Sequence, residues 1–145
     1  MGELTAKLER AAHLVGSYLD STAEKLNLTQ GEAHVLAQLD RRGPLAIAAL
    51  HDAFGHKRST LTNILDRLEN RKLLRRELNR DDRRSFIVSL TPQGRRTATQ
   101  VTEVLDGLER QLAGRLKKAE IEGMANVIAA LEDIVRRGRD GVAGS

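Results

Sequence analysis

The 145-residue chain contains no cysteine and no tryptophan, and its aromatic side chains are limited to Tyr18, Phe54 and Phe86. Without cysteine there is no disulfide, no thiolate nucleophile, no zinc–thiolate site and no cysteine-based redox sensing. With so few aromatics the core has to be assembled from Leu, Ile, Val and Ala, a set that suits packed helices better than a β-sandwich. No apolar run approaches the roughly 18 residues of a membrane span. The opening MGELTAKLER has no apolar signal core, and Ala6 stands where a myristoylation motif places Ser or Thr, so a cytoplasmic protein without a membrane partner is expected. The four histidines, His13, His34, His51 and His56, fall on different expected elements and form no H-x-x-x-H pair. His51, Asp52 and His56 sit near one helix end, where such groups more often cap or face solvent than bind metal. Nucleophile elbows, phosphate loops and paired buried carboxylates are missing too, so neither an enzyme nor a metal or cofactor is expected.

What is present fits one domain, for which the usual range is about 100 to 200 residues. Apolar residues make up 40% and charged residues 30%, with a net charge of +4 that is unevenly spread. Between His56 and Arg84 there are ten Lys/Arg and five acids, a net of +5, and the remainder carries 14 Lys/Arg against 15 acids. All the excess positive charge therefore lies in one fifth of the chain, the distribution expected of a nucleic-acid footprint.

Hydrophobic periodicity divides the chain into elements. Leu4, Leu8, Ala11, Val15, Tyr18/Leu19, Thr22 and Leu26 recur at helical spacing. Thr29 followed by Glu32 is a capping box that opens a second helix from about Gln30 to Arg41, and Gly43-Pro44 stops it. LAIAALHDAF predicts a short third helix ending at Gly55, and KRSTLTNILDRLENRKLL restarts within two or three residues with Leu61, Ile64, Leu65 and Leu68 as its apolar stripe. Two helices joined by so tight a turn outline a helix-turn-helix. After Leu73 the period falls to two: LLRREL and SFIVSL flank the charged NRDDRR and predict a hairpin. Thr91 and Pro92 then open another helix as N-cap and first residue. The stripes Val101, Leu105, Leu108, Leu112, Leu116 and Ile121, Met124, Ile128, Leu131, Val135 predict two further helices, the last without a Ser/Thr cap at KKAEIEG. The Gly-rich residues 139–145 are expected to be a disordered tail.

A helix fits the major groove of B-DNA, where short polar side chains reach base edges and phosphates. Arg58, Ser59, Thr60, Thr62, Asn63 and Arg67 fall on or near the face opposite the apolar stripe, and Lys57 precedes them at a place suited to a backbone phosphate. Asn63 has the chemistry to read adenine, and Arg58 or Arg67 guanine. Arg80, Arg83 and Arg84 crowd the hairpin tip, which has the width and charge to enter a minor groove.

The segment STLTNILDRLENRKLLRRELNRDDRRSFIVSLTPQG, from Ser59 to Gly94, resembles the core of MarR-type bacterial transcription regulators. It has the Ser-Thr-apolar-Thr recognition helix, the Leu-Glu helix end, the Asp-x-Arg wing and the apolar strand running into Leu-Thr-x-x-Gly. The element order agrees over essentially the whole chain. One departure is GHKRST, where His56 and Lys57 occupy the usual Ser/Thr N-cap place.

The resemblance implies a mainly α fold with a small β-hairpin. A winged helix-turn-helix over about residues 29–91 would be flanked by dimerisation helices at about 3–26 and 92–137, in a single domain of residues 1–138. It implies a homodimeric regulator, most often a repressor, that binds double-stranded DNA at a pseudo-palindromic operator on the bacterial nucleoid and responds to a small-molecule effector. In the wing, the Asp-x-Arg spacing implies a carboxylate orienting a guanidinium. Asp81 with Arg83 and Asp82 with Arg84 both have that spacing, and alignment on SFIVSLT favours Asp82 and Arg84. The alternative reading is an architectural DNA-binding protein without sequence preference, against which the Ser/Thr/Asn-rich face and the moderate net charge argue.

Overall fold

The expected capping box forms: the Thr29 hydroxyl accepts the Glu32 N–H at 3.2 Å and the Glu32 carboxylate accepts the Thr29 N–H at 3.3 Å. Two of the helix's otherwise unpaired donors are satisfied in this way, and helix α2 runs Gln30–Arg42 to Gly43, whose φ of 78° ends it. The computed structural model describes residues 2–55 and 57–143, so His56, which entered both the cap and the histidine readings, lies outside the described residues. The remaining elements are α1 (Glu3–Lys25), β1 (Leu45–Ala46), α3 (Ile47–Phe54), α4 (Arg58–Asn70), β2 (Leu74–Leu78), β3 (Phe86–Leu90), α5 (Pro92–Arg115) and α6 (Lys118–Ala143). The chain divides into two compact units, Met1–Asp106 and Gly107–Ser145, where its length suggested one domain.

The core of the first unit is aliphatic. The cluster comprises Leu19 and Ala23 of α1, Leu28 just before α2, Ala33, Val35, Leu36, Ala37 and Leu39 of α2, Leu50 of α3, the α4 stripe, Leu73, Leu74, Val88, Ala98 and Val101. Each fully buried Leu or Val contributes roughly 1.5–3 kcal/mol by leaving water. Arg71, just past α4, donates to the carbonyls of Asn27 (2.6 Å) and Leu26 (3.0 Å), tying the end of α4 to the end of α1.

The sheet is antiparallel with order β1-β3-β2. The hairpin is as expected, but it gains a third strand: Leu45 and Ala46, which the apolar pattern assigned to a helix, pair with Val88 and Ile87. Helix α3 therefore starts two residues later, at Ile47, because cross-strand hydrogen bonds claim the backbone that its first turn would have used. The segment Leu-Thr-x-x-Gly locks the sheet to α5. Thr91 donates its hydroxyl to the Lys72 carbonyl (2.6 Å), its N–H goes to the Leu73 carbonyl (3.1 Å), and the Gly94 N–H donates to the Thr91 hydroxyl (3.0 Å). A Cβ on Gly94 would lie 1.7 Å from the Leu73 carbonyl oxygen, so only glycine allows this approach.

In the second unit, α5 ends and α6 follows after a short break. The chain is helical to Ala143, and the disordered tail expected from residue 139 is thus helical over its first five residues. Propagating an existing helix adds one hydrogen bond per residue fixed, and the exposed pair Arg137–Asp133 at 3.1 Å supports the preceding turn. None of the α6 side chains described is buried: Ile121, Met124, Ile128, Leu131, Ile134 and Val135 all face solvent in the isolated chain. Among the described residues, no helix is long and apolar enough to cross a membrane.

Candidate nucleic-acid interface

Helix α4 divides along its length as its sequence requires. Leu61, Ile64, Leu65 and Leu68 are buried, while Arg58, Ser59, Thr60, Thr62 and Asn63 are exposed. Lys57 occupies the N-cap with extended backbone and gives no side-chain cap, since an ammonium cannot accept an N–H bond. Among the described residues the first turn of α4 therefore keeps N–H groups free of a side-chain acceptor, next to the exposed cations Lys57 and Arg58. That is a local arrangement suited to a phosphate oxygen.

Arg67 sits differently from the rest of the reading set. Its Nε lies 3.6 Å from Oε1 of Glu32, and Glu32 is buried, so the guanidinium is paired with the acid of the α2 capping box. Any base contact by Arg67 would compete with this pairing.

The wing tip is a chain of local hydrogen bonds. The Asn79 N–H donates to the Ser85 carbonyl (3.0 Å), the Ser85 N–H to the Asp82 carbonyl (3.1 Å) and the Asp81 N–H to the Asn79 side-chain oxygen (3.0 Å). Asp82 accepts the backbone N–H of Arg84 at 3.0 Å. Of the two Asp-x-Arg pairs, the second thus makes an i to i+2 contact, but through the main chain. Among the described residues neither Asp81 nor Asp82 forms an ion pair with a guanidinium. At two residues' separation in a tight turn the carboxylate reaches the backbone first, so Asp82 shapes the turn instead of holding the guanidinium. Arg80, Arg83 and Arg84 are all exposed and make no ion pair among the described residues.

Three residues absent from the sequence-based site set the position of the wing. Arg76 of β2 donates from Nη2 to Asp66 (2.6 Å) and to Glu69 Oε1 (3.1 Å), and from Nε and its backbone N–H to Glu69 Oε2 (3.3 and 3.2 Å). Asp66 and Glu69 are one turn apart on α4, so a single forked guanidinium bolts the wing to the reading helix. The hydrogen bond from Arg76 holds the Glu69 carboxyl below its ordinary range, with desolvation opposing, and Glu69 in turn raises the Arg76 guanidinium above its own. The sequence signal was the i, i+3 acid pair followed by an arginine on the α4-facing side of the next strand.

An exposed polar helix face and a cationic hairpin tip held to it by an ion-pair clamp, on a three-stranded sheet, define a winged helix-turn-helix protein. The family model for the MarR family matches residues 28–86. The HTH-type transcriptional regulator PecS of Dickeya dadantii is 34% identical over 128 residues, covering 86% of this chain and 77% of PecS. The crystal structure of S. aureus MepR in its DNA-binding conformation superposes with a TM-score of 0.80 at 25% identity, covering 90% of this chain and 98% of MepR. The S. aureus MepR–DNA complex gives a TM-score of 0.73 at 25% identity over 90% of this chain and 97% of the MepR chain. The chain belongs to the MarR family.

Proposed function

We propose that the protein is a sequence-specific DNA-binding transcription regulator acting in the cytoplasm as a homodimeric repressor of a pseudo-palindromic operator. The observation that carries this reading is the clamp: Arg76 joins a helix whose exposed face is Arg58, Ser59, Thr60, Thr62 and Asn63 to a hairpin tip with three exposed arginines. In this reading α4 lies in a major groove, with Asn63 and Arg58 on base edges, Lys57, Ser59 and Thr60 on phosphates, and the wing arginines in the adjacent minor groove. Support for self-association is the exposed apolar side chains of α6 together with Leu4 and Leu14 of α1, more apolar surface than a monomer usually leaves in water. A two-fold axis would place half-sites about 34–36 Å apart. A small-molecule effector that binds the DNA-incompetent state better would release the operator.

The test is selection from a random duplex library at about 0.15 M salt, near physiological ionic strength, with wild type and Arg84→Ala in parallel. A pseudo-palindrome whose enrichment collapses in the variant is expected. Salt-tracking binding with no motif would instead make the protein an architectural DNA binder.

A further inference from the structure

Phe86 is one of only three aromatic side chains in the sequence, yet it is 42% exposed on the wing. Directly across the sheet from it stands Leu78, 57% exposed. Leu and Phe are among the residues most often buried, although a single one in water is ordinary. Here two of them oppose each other at the register next to the wing tip. Opposed Cβ atoms in such a pair lie roughly 4.5–5.5 Å apart, so the two side chains form one apolar shelf.

The direction of the shelf follows from the register. Side chains alternate between the faces of a sheet, and Leu74 pairs with Leu90, Arg76 with Val88 and Leu78 with Phe86, so all six share one face. Leu74 and Val88 are buried, and Leu90 packs against the core. Arg76 reaches Asp66 and Glu69 of α4. This is therefore the face turned to the core and the reading helix. Leu78 and Phe86 are its outer end, past the clamp and short of the tip. Beyond them Arg80, Arg83 and Arg84 are exposed, and Asp82 accepts the Arg84 N–H.

We propose that Leu78 and Phe86 pack on the deoxyribose rings that wall the minor groove entered by the wing. This rests on the DNA-binding reading above and adds an uncharged contact to it. The walls of a minor groove are sugars with apolar C–H edges, set between phosphates and beside a groove whose negative potential draws arginine. An apolar shelf directly behind a cationic tip matches that order. The pair stands at the base of the tip and not on it, a position for the groove wall. Minor-groove proteins that kink DNA instead drive such side chains between base steps. Both residues are carried on paired strands, so little backbone order has to be gained on contact.

The experiment is a salt titration of the full chain against the duplex that the wild type enriches most, with Leu78→Thr, Phe86→Thr and Arg84→Ala alongside. Threonine keeps the strand preference while removing most of the apolar surface, and matching circular dichroism and thermal midpoints check that the hairpin stands. Each threonine variant should bind about fivefold weaker or more. The slope of log affinity against log salt should stay unchanged in both, because no cation is lost, whereas Arg84→Ala should flatten it by about 0.9. Single ribonucleotides in the minor grooves flanking the half-sites put a 2′-hydroxyl on the sugar edge; they should weaken the wild type and weaken Phe86→Thr less. Wild-type affinity in both threonine variants would overturn the proposal while leaving DNA binding in place, and would leave the shelf to a protein partner. A wild type that binds no duplex would overturn both. A slope flattened in the threonine variants would mean that the arginines had moved, and a duplex bend lost together with affinity, read by fluorescence energy transfer, would make the pair a wedge between base steps. Either result would overturn the groove-wall contact.

Discussion

Replacing Arg76 by methionine tests whether the wing is energetically tied to the reading helix. Methionine keeps much of the aliphatic stem but removes three side-chain hydrogen bonds, two to Glu69 and one to Asp66. It also leaves two carboxylates one helical turn apart without a cation between them. A hydrogen bond to a charged group contributes about 1.5–3 kcal/mol when sheltered. Here the carboxylates are 48% and 39% exposed and the guanidinium 24%, so solvent screens much of that. A net loss of about 1–2 kcal/mol at pH 7 follows for the set.

The pH dependence has a definite sign. The folded state depresses the Glu69 carboxyl, so its contribution is present above the unfolded value of about 4.3 and is lost as pH falls through the lower folded value. The gap between wild type and Arg76→Met should be full at pH 7 and narrow below about pH 4. Urea midpoints at one fixed protein concentration measure it, since self-association makes stability depend on concentration. Operator affinity should fall at least tenfold, about 1.4 kcal/mol, because a wing free to swing no longer presents its arginines in register. Arg76→Lys should recover only part of both effects, an ammonium having no planar fork. Equal urea midpoints and equal DNA affinity for Arg76→Met and wild type would refute the reasoning.

Three further outcomes are expected. Gly94→Ala drives a methyl into the Leu73 carbonyl and should cost about 3 kcal/mol or more, seen as a lowered thermal midpoint; an unchanged midpoint would mean that α5 moves away freely. Asn63→Ala should relax base preference at one operator position by about 1–3 kcal/mol, whereas Lys57→Ala should weaken all sequences alike and flatten the salt slope by about 0.9; selection and salt titration separate the two, and identical profiles would contradict the assigned roles. Ile128→Asp, on the exposed stripe of α6, should convert a dimer to monomer in sedimentation at micromolar concentration, and a sedimentation coefficient equal to the wild type's would remove that stripe from the interface.

Much of the reading head was legible because it depends on short-range rules. The capping box at Thr29 and Glu32 is a four-residue contact, and the division of α4 into buried Leu61, Ile64, Leu65, Leu68 and an exposed polar face is the 3.6-residue period itself. The hairpin was announced by a change of period, and the start of α5 by Thr91-Pro92. What escaped was non-local. Leu45-Ala46 is helical by pattern and becomes a strand only because Val88 and Ile87 lie beside it. The Asp82 carboxylate was expected to take a guanidinium and instead takes a main-chain N–H, since both acceptor geometries share one spacing.

The sequence by itself determined the order of elements, the face of α4 that is free to meet a partner and the concentration of cations between residues 56 and 84, because periodicity, caps and charge are properties of neighbouring residues. Only the tertiary structure decided which of those cations remain free. Arg67 is drawn to the buried Glu32, Arg76 is spent on the clamp and Arg71 on the end of α1. Arg75, Arg80, Arg83 and Arg84 are left without acidic partners among the described residues. A side chain a few ångströms long finds its counter-ion by the fold's distances, which residue spacing alone does not supply.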